Sequence, residues 1–238
     1  MVLRNKSTPR IKIFLDSASL DEIGQWASDP QITGFTTNPS LMSRAGISNY
    51  RDFAGRVLQL TRGLPVSMEV LSDNLKIMED QALTISLWSN SIYVKIPITT
   101  TTGESTLGLV RTLGEHGVKV NITAVLSWRQ VCDIREAAPS GPTIVSIFAG
   151  RIADTGINPV TMVTQAVKLL SALPNIKVLW ASPRRVLDIF DASDAGASII
   201  TCTPDILKKI GLLGKDLDEY SLETVRQFHN DGQQVVFA

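Results

Sequence analysis

The sequence predicts an α/β fold, a (β/α)8 TIM barrel with an additional C-terminal helix, on three observations. Short β-rich runs alternate with amphipathic helical stretches along the whole chain, the strand-like runs number eight, and no GxGxxG or Walker loop follows any of them. Alternation of this kind demands parallel strands, because a helix has to carry the chain back between them. A doubly wound open sheet is the competing architecture, and the missing phosphate-binding loops set it aside.

The strands are expected at residues 11–16, 32–36, 65–70, 91–96, 118–121, 143–148, 177–181 and 198–201. Helices are expected at residues 20–28, 50–61, 73–88, 105–116, 128–137, 159–172, 184–195 and 204–210, and the additional one at 217–230. Ser19 followed by Glu22 reads as a capping box. Pro159 and Pro204 sit where the first turn of a helix tolerates a missing N–H. Thr99–Thr102 is a four-threonine loop rather than a repeat.

Composition narrows the partners. Lys plus Arg total 23 and Asp plus Glu total 23, so no charge excess favours nucleic acid or a membrane surface, and a small molecule is the expected partner. With 44% hydrophobic residues the chain can bury one large core, which makes residues 11–238 one domain after a polar extension over residues 1–10. No apolar run of about 18 residues is present to cross a membrane. Cys132 and Cys202 have neither disulfide nor metal-ligand spacing, which fits a reducing, cytosolic setting. His116 and His229 leave little material for a His-based metal site or a serine triad, and no metal or organic cofactor is expected.

In a barrel the chemistry collects where strands end, and residues two apart on a strand share a face. Residues at the strand ends follow that rule here: Asp16 on the first strand, Thr36 and Asn38 on the second, Ser67 and Glu69 on the third, Lys95 on the fourth, Asn121 and Thr123 on the fifth, and Ser146 and Phe148 on the sixth, with Arg151 just beyond. Ser182 and Arg184 leave the seventh. Lys95 lies between Val94 and Ile96, on the face of Tyr93. Taking an ammonium out of water favours the neutral, nucleophilic amine that imine formation needs. The alternative is a buried lysine in a structural ion pair with Asp16 or Glu69. Asp16 could simply organise the turn into the first helix. Glu69 requires a cationic or water-mediated partner, because an unpaired buried carboxylate is expensive. Arg151 and Arg184 stand where barrels commonly place an anion site, with Ser182 as a further donor, while Arg185 reads equally well as an exposed first-turn residue.

The segments Gly34–Ser40, Tyr93–Pro97, Asn121–Thr123, Ile147–Ile152 and Ala181–Arg184 together resemble the transaldolase family, in matching order and spacing from about Ile11 to about Leu212. That resemblance implies a Schiff base on Lys95, acid/base work at carbon–carbon cleavage by Asp16, and imine chemistry through a water for Glu69, with Thr123 supporting that water. It places Asn38 and Asn121 on the dihydroxyacetone hydroxyls and Arg151, Ser182 and Arg184 on the phosphate; Thr36, Ser67, Ser146 and Phe148, from their places at the strand ends, are expected to line the substrate. It further implies sugar-phosphate substrates and a homo-oligomer, a pentamer or decamer in which the C-terminal helix reaches a neighbour.

The chain length is similar to that of the small subfamily, which includes fructose-6-phosphate aldolases. Those aldolases carry Gln and Tyr where this chain has Glu69 and Phe148, so the resemblance implies transaldolase before aldolase. An idle barrel that binds a sugar phosphate is the reading from a different class. Two features depart from the family pattern: the loop over residues 97–105 is longer, and Pro183 replaces an aromatic residue.

Overall fold

The computed structural model describes residues 11–233 and 235, and the expected extension over residues 1–10 lies outside them. Its sheet is a closed parallel barrel in sequential order: β1 (Lys12–Asp16), β2 (Ile32–Thr36), β3 (Val66–Glu69), β4 (Ile92–Pro97), β5 (Val120–Val125), β6 (Thr143–Ile147), β7 (Ile176–Trp180) and β8 (Ile199–Cys202), with β8 returning to β1. Helices α1 (Leu20–Trp26), α2 (Pro39–Arg44), α3 (Tyr50–Thr61), α4 (Leu75–Ser86), α5 (Leu107–Glu115), α6 (Trp128–Ala137), α7 (Ala149–Asp154), α8 (Pro159–Leu170), α9 (Leu187–Asp194) and α10 (Pro204–Lys208) form the outer layer. A 3-10 turn over Lys209–Leu212 leads to α11 (Leu217–Gly232).

Polar caps start most of these helices, because the first N–H groups of a helix have no partner within it. Asn38, Asn49, Asn74 and Asn158 each accept from the first turn that follows. At Ser19 only half of the expected box forms: its hydroxyl takes the Glu22 N–H, while the Glu22 carboxylate is occupied by the Ser17 hydroxyl at 2.5 Å. The complete box is at Ser127 and Gln130.

Most element ends shift by a residue or two, and the larger departures from expectation fall at β5, α2, α7 and α9. Strand β5 runs on past Asn121 to Val125, with its register broken between Ile122 and Val125 and Ala124 at φ 60°. Helices α2 and α7 occupy stretches expected to be loop; at six residues each they are too short to show a helical period. Helix α9 begins at Leu187 rather than Arg184, because the Asp188 carboxylate accepts the N–H groups of both Arg184 and Arg185 and holds them in a turn ahead of the helix.

Apolar side chains divide into two cores. The larger lies between strands and helices and takes the outward-facing Leu15, Met68, Val94, Ile96 and Ile122, all fully buried. The smaller fills the barrel and is made of Phe14, Ile144, Leu179, Ala181 and Ile199, with Tyr93 and Phe148 against it. Alternate strands fill a barrel in layers of four, and the register here gives such tiers: Gly34, Tyr93, Ile144 and Ile199, then Phe14, Ser67, Asn121 and Leu179 above them. Gly34 is required, since a Cβ there would lie 2.5 Å from the Phe14 ring. Burial of this apolar plug closes the lower half of the barrel and leaves the polar residues above it at the mouth.

Candidate active site

Above the plug stands a tier of Thr36, Lys95, Ser146 and Thr201, and above that Asp16, Glu69, Thr123 and Ala181. The alternation that sends Val94 and Ile96 outward turns Lys95 into the barrel, where it is 6% exposed. Its Nζ lies 2.9 Å from Glu69 Oε2 and donates to the Thr37 carbonyl at 2.8 Å. Of the two partners expected for Lys95, the structure selects Glu69, and Lys95 is in turn the cation that the Glu69 carboxylate required. An ammonium has three donors, so one direction remains open towards the mouth.

Asp16 accepts from the Thr36 hydroxyl at 2.7 Å, and that hydroxyl also lies 2.5 Å from the Thr201 hydroxyl. Burial pushes the Asp16 carboxyl above its ordinary range, against the opposing pull of the Lys95 charge and the Thr36 hydrogen bond. A carboxyl shifted in that direction is suited to exchange protons. One tier lower, the Asn121 amide donates to Ser67 Oγ at 3.1 Å and accepts from Ser146 Oγ at 2.7 Å, so both serines fix its orientation. The Thr123 hydroxyl is buried and meets no hydrogen-bonding atom among the described residues, which leaves it for a water or a substrate oxygen.

Further out the geometry is looser. Asn38 spends its side-chain oxygen on the Leu41 N–H at 2.9 Å, so only its amide N–H groups are available to a ligand. The exposed Arg151 places its guanidinium 5.3 Å from the centre of the half-buried Phe148 ring. Ser182 has φ 60°, so it and Arg184 are parts of a turn and not same-face neighbours on an extended strand, as their spacing had suggested. Gly150 on α7 makes this turn possible: a Cβ there would fall 1.6 Å from the Ser182 carbonyl oxygen. Arg184 lays its side edge on Asp154, with Nε 3.2 Å from Oδ1 and Nη2 on Oδ2. Its remaining N–H groups stay free for an anion. Arg185 is tied to Asp188 at 2.9 Å and Asp191 at 3.5 Å, ahead of α9 instead of in its first turn. The threonine loop folds back through a Thr99–Ser105 bridge, and the Asp73 carboxylate ties it down by accepting from the Thr101 N–H at 2.8 Å and from its hydroxyl.

Thr201, the Thr37 carbonyl and Asp154 join the site without having been anticipated. Thr201 was within reach of the rule used for the other strands, since it ends β8 two residues after inward-facing Ile199. The Thr37 contact is made by backbone and carries no side-chain signal. Among the described residues, no group of three or more His, Cys, Asp or Glu side chains could hold a metal ion.

A (β/α)8 barrel whose mouth holds one buried lysine against a carboxylate, with a second carboxylate beside it and arginines on the rim, is an enzyme scaffold of defined class. A family model described as Transaldolase/Fructose-6-phosphate aldolase matches residues 13–238, and the chain belongs to that family of aldolase and transaldolase enzymes. A "Probable transaldolase" of Carboxydothermus hydrogenoformans is 35% identical over 202 residues, covering 84% of this chain and 90% of its own length. Another from Herpetosiphon aurantiacus is 32% identical over 227 residues, covering 94% and 96%. Among solved structures, 2,3-dimethylmalate lyase superposes with a TM-score of 0.58 at 11% identity, covering 95% of this chain and 84% of that one. Thiamine phosphate pyrophosphorylase from Pyrococcus furiosus gives 0.55 at 10% identity, covering 82% and 86%. These two likenesses concern the barrel fold alone.

Proposed function

We propose that this chain is a transaldolase that moves a three-carbon dihydroxyacetone unit from a ketose phosphate, such as fructose 6-phosphate, to an aldose phosphate through a Schiff base on Lys95. The observation that carries the reading is the setting of Lys95: turned into the barrel, buried, and 2.9 Å from the Glu69 carboxylate. The neutral amine adds to the C2 carbonyl, and loss of water, with Glu69 shuttling protons, leaves an iminium that draws electrons from the C3–C4 bond. Asp16 removes the C4 hydroxyl proton, the bond breaks, and an aldose phosphate departs. The electron pair stays on the lysine-bound three-carbon enamine, which attacks the carbonyl of the acceptor. Asn121 and Asn38 hold the hydroxyls of the three-carbon unit, Thr123 holds the water, and Thr36, Ser67 and Ser146 fix their neighbours. Arg151, Ser182 and the free edge of Arg184 take the phosphate.

Borohydride reduction in the presence of fructose 6-phosphate is expected to trap a three-carbon adduct on Lys95, read by peptide mass spectrometry. An adduct on another lysine, or none with any ketose, overturns the mechanism.

The second reading is a fructose-6-phosphate aldolase that releases dihydroxyacetone to water, and Phe148 argues against it. Its ring stands beside the inner apolar core and has no proton to give, so the enamine waits for an aldehyde. Phe148→Tyr is expected to raise release of free dihydroxyacetone and lower transfer to erythrose 4-phosphate, measured at steady state with and without acceptor. Release by the unaltered enzyme as fast as transfer would replace transaldolase with aldolase.

The same reading includes a homo-oligomer. None of the described residues of α11 is buried, and Leu217, Val225 and Phe228 are among its exposed apolar side chains, a face suited to a neighbouring subunit.

A further inference from the structure

The pole of the barrel opposite the mouth carries a charge arrangement that this chemistry does not use. Two residues back from the inward-facing Phe14, Asn121 and Leu179 stand Lys12, Lys119 and Lys177, on β1, just before β5, and on β7. With Pro65 ahead of β3 they occupy one tier of alternate strands beneath the apolar plug. Lys12 and Lys177 are exposed and Lys119 is half-buried. None of the three forms an ion pair with a described residue. Lys119 Nζ donates to the Asn90 carbonyl at 2.5 Å and lies 5.9 Å from the centre of the Tyr93 ring.

Lys177 and Tyr93 line a cleft of about 410 Å³ that is walled by Pro142, Pro174, Thr143 and Asn175. Its volume falls within the range of small-molecule sites, roughly 300–1,000 Å³. The protein as a whole is electrically balanced, so three cations at one pole with no ion pair to a described residue make a local field that an anion would offset.

We propose that this pole binds a small anion bearing at least two phosphate charges. Lys177 and Lys119 are its principal ligands, and the Tyr93 hydroxyl, which has no hydrogen-bond partner among the described residues, is a donor from the floor. The site is independent of the Schiff-base reading, since it shares no residue with the mouth.

The test uses the full chain carrying Arg151→Ala and Arg184→Ala, so that the rim at the mouth does not compete, titrated calorimetrically with inorganic pyrophosphate at physiological ionic strength. Saturable binding of one pyrophosphate per chain is expected, with orthophosphate weaker. Adding Lys177→Gln and Lys119→Gln should weaken it by about tenfold or more, on the scale of two charge-assisted hydrogen bonds. Lys177→Gln alone and Tyr93→Phe serve as milder variants, and circular dichroism confirms that each is folded. Equal affinity in the lysine variants overturns the site, as does the absence of saturable binding at that ionic strength. Tighter binding of a single-stranded oligonucleotide than of pyrophosphate overturns the assigned ligand class.

Discussion

Lys95→Met is expected to remove turnover and the reduced adduct together, a loss of roughly 10³–10⁶-fold on the scale of deleting a covalent nucleophile. The substitution also has a folding consequence that follows from the geometry. Lys95 and Glu69 are both largely withdrawn from water, with side-chain exposures of 7% and 14%. Breaking such a pair strands a carboxylate, and removal of one partner of a buried ion pair typically costs about 3–5 kcal/mol. Lys95→Met with Glu69→Gln removes both charges, so it should recover most of the lost stability while remaining inactive. Chemical denaturation of the single and double variants, alongside turnover, separates the two effects. Turnover surviving in either variant would show that Lys95 serves structure and not catalysis.

Why the barrel was legible while parts of its mouth were not comes down to the range of the interactions. Strand–helix alternation repeats along the chain, and several helices that follow a strand open on a polar cap, as at Ser19, Asn38, Asn74 and Ser127. Lys95, Asp16 and Glu69 obey the period of two within single strands, so their convergence could be read without knowing their neighbours. The end of β5 could not, because Ala124 at φ 60° is a backbone feature that alanine does not advertise. Arg184 and Asp154 lie 30 residues apart, Arg184 in the turn after β7 and Asp154 at the end of α7. Their pairing depends on the close approach of Gly150 to the Ser182 carbonyl, which no local pattern announces. The three lysines of the lower pole carry the same period-two signal as the mouth, and they become meaningful once the register assigns them to one tier.

Asp16→Asn should slow carbon–carbon cleavage by roughly 10²–10⁴-fold, the usual contribution of a general acid/base, while still allowing Lys95 to form the reducible imine. Its effect on stability should run the other way. Burial raises the Asp16 carboxyl above its ordinary value of 3.8, so the folded state holds that proton more tightly than the unfolded chain does. A group raised in this way contributes its stability fully below pH 3.8, and that contribution is lost as pH rises through the folded value. Above pH 3.8 the buried carboxyl therefore works against the fold. Asparagine has the same shape, can still accept from Thr36, and carries no charge to desolvate. Asp16→Asn should match the unaltered protein in melting temperature near pH 3, then gain on it as pH rises above 3.8, and hold that gain at neutral pH. Melting curves of both proteins from pH 3 to 8, read as their difference, isolate Asp16 from the other carboxylates that titrate in the same range. If the variant is less stable at neutral pH by as much as it is at pH 3, Asp16 is part of the structural network around Thr36 and Thr201. If instead the gain appears with cleavage unimpaired, its charge is carried at the mouth for something other than removal of the C4 proton.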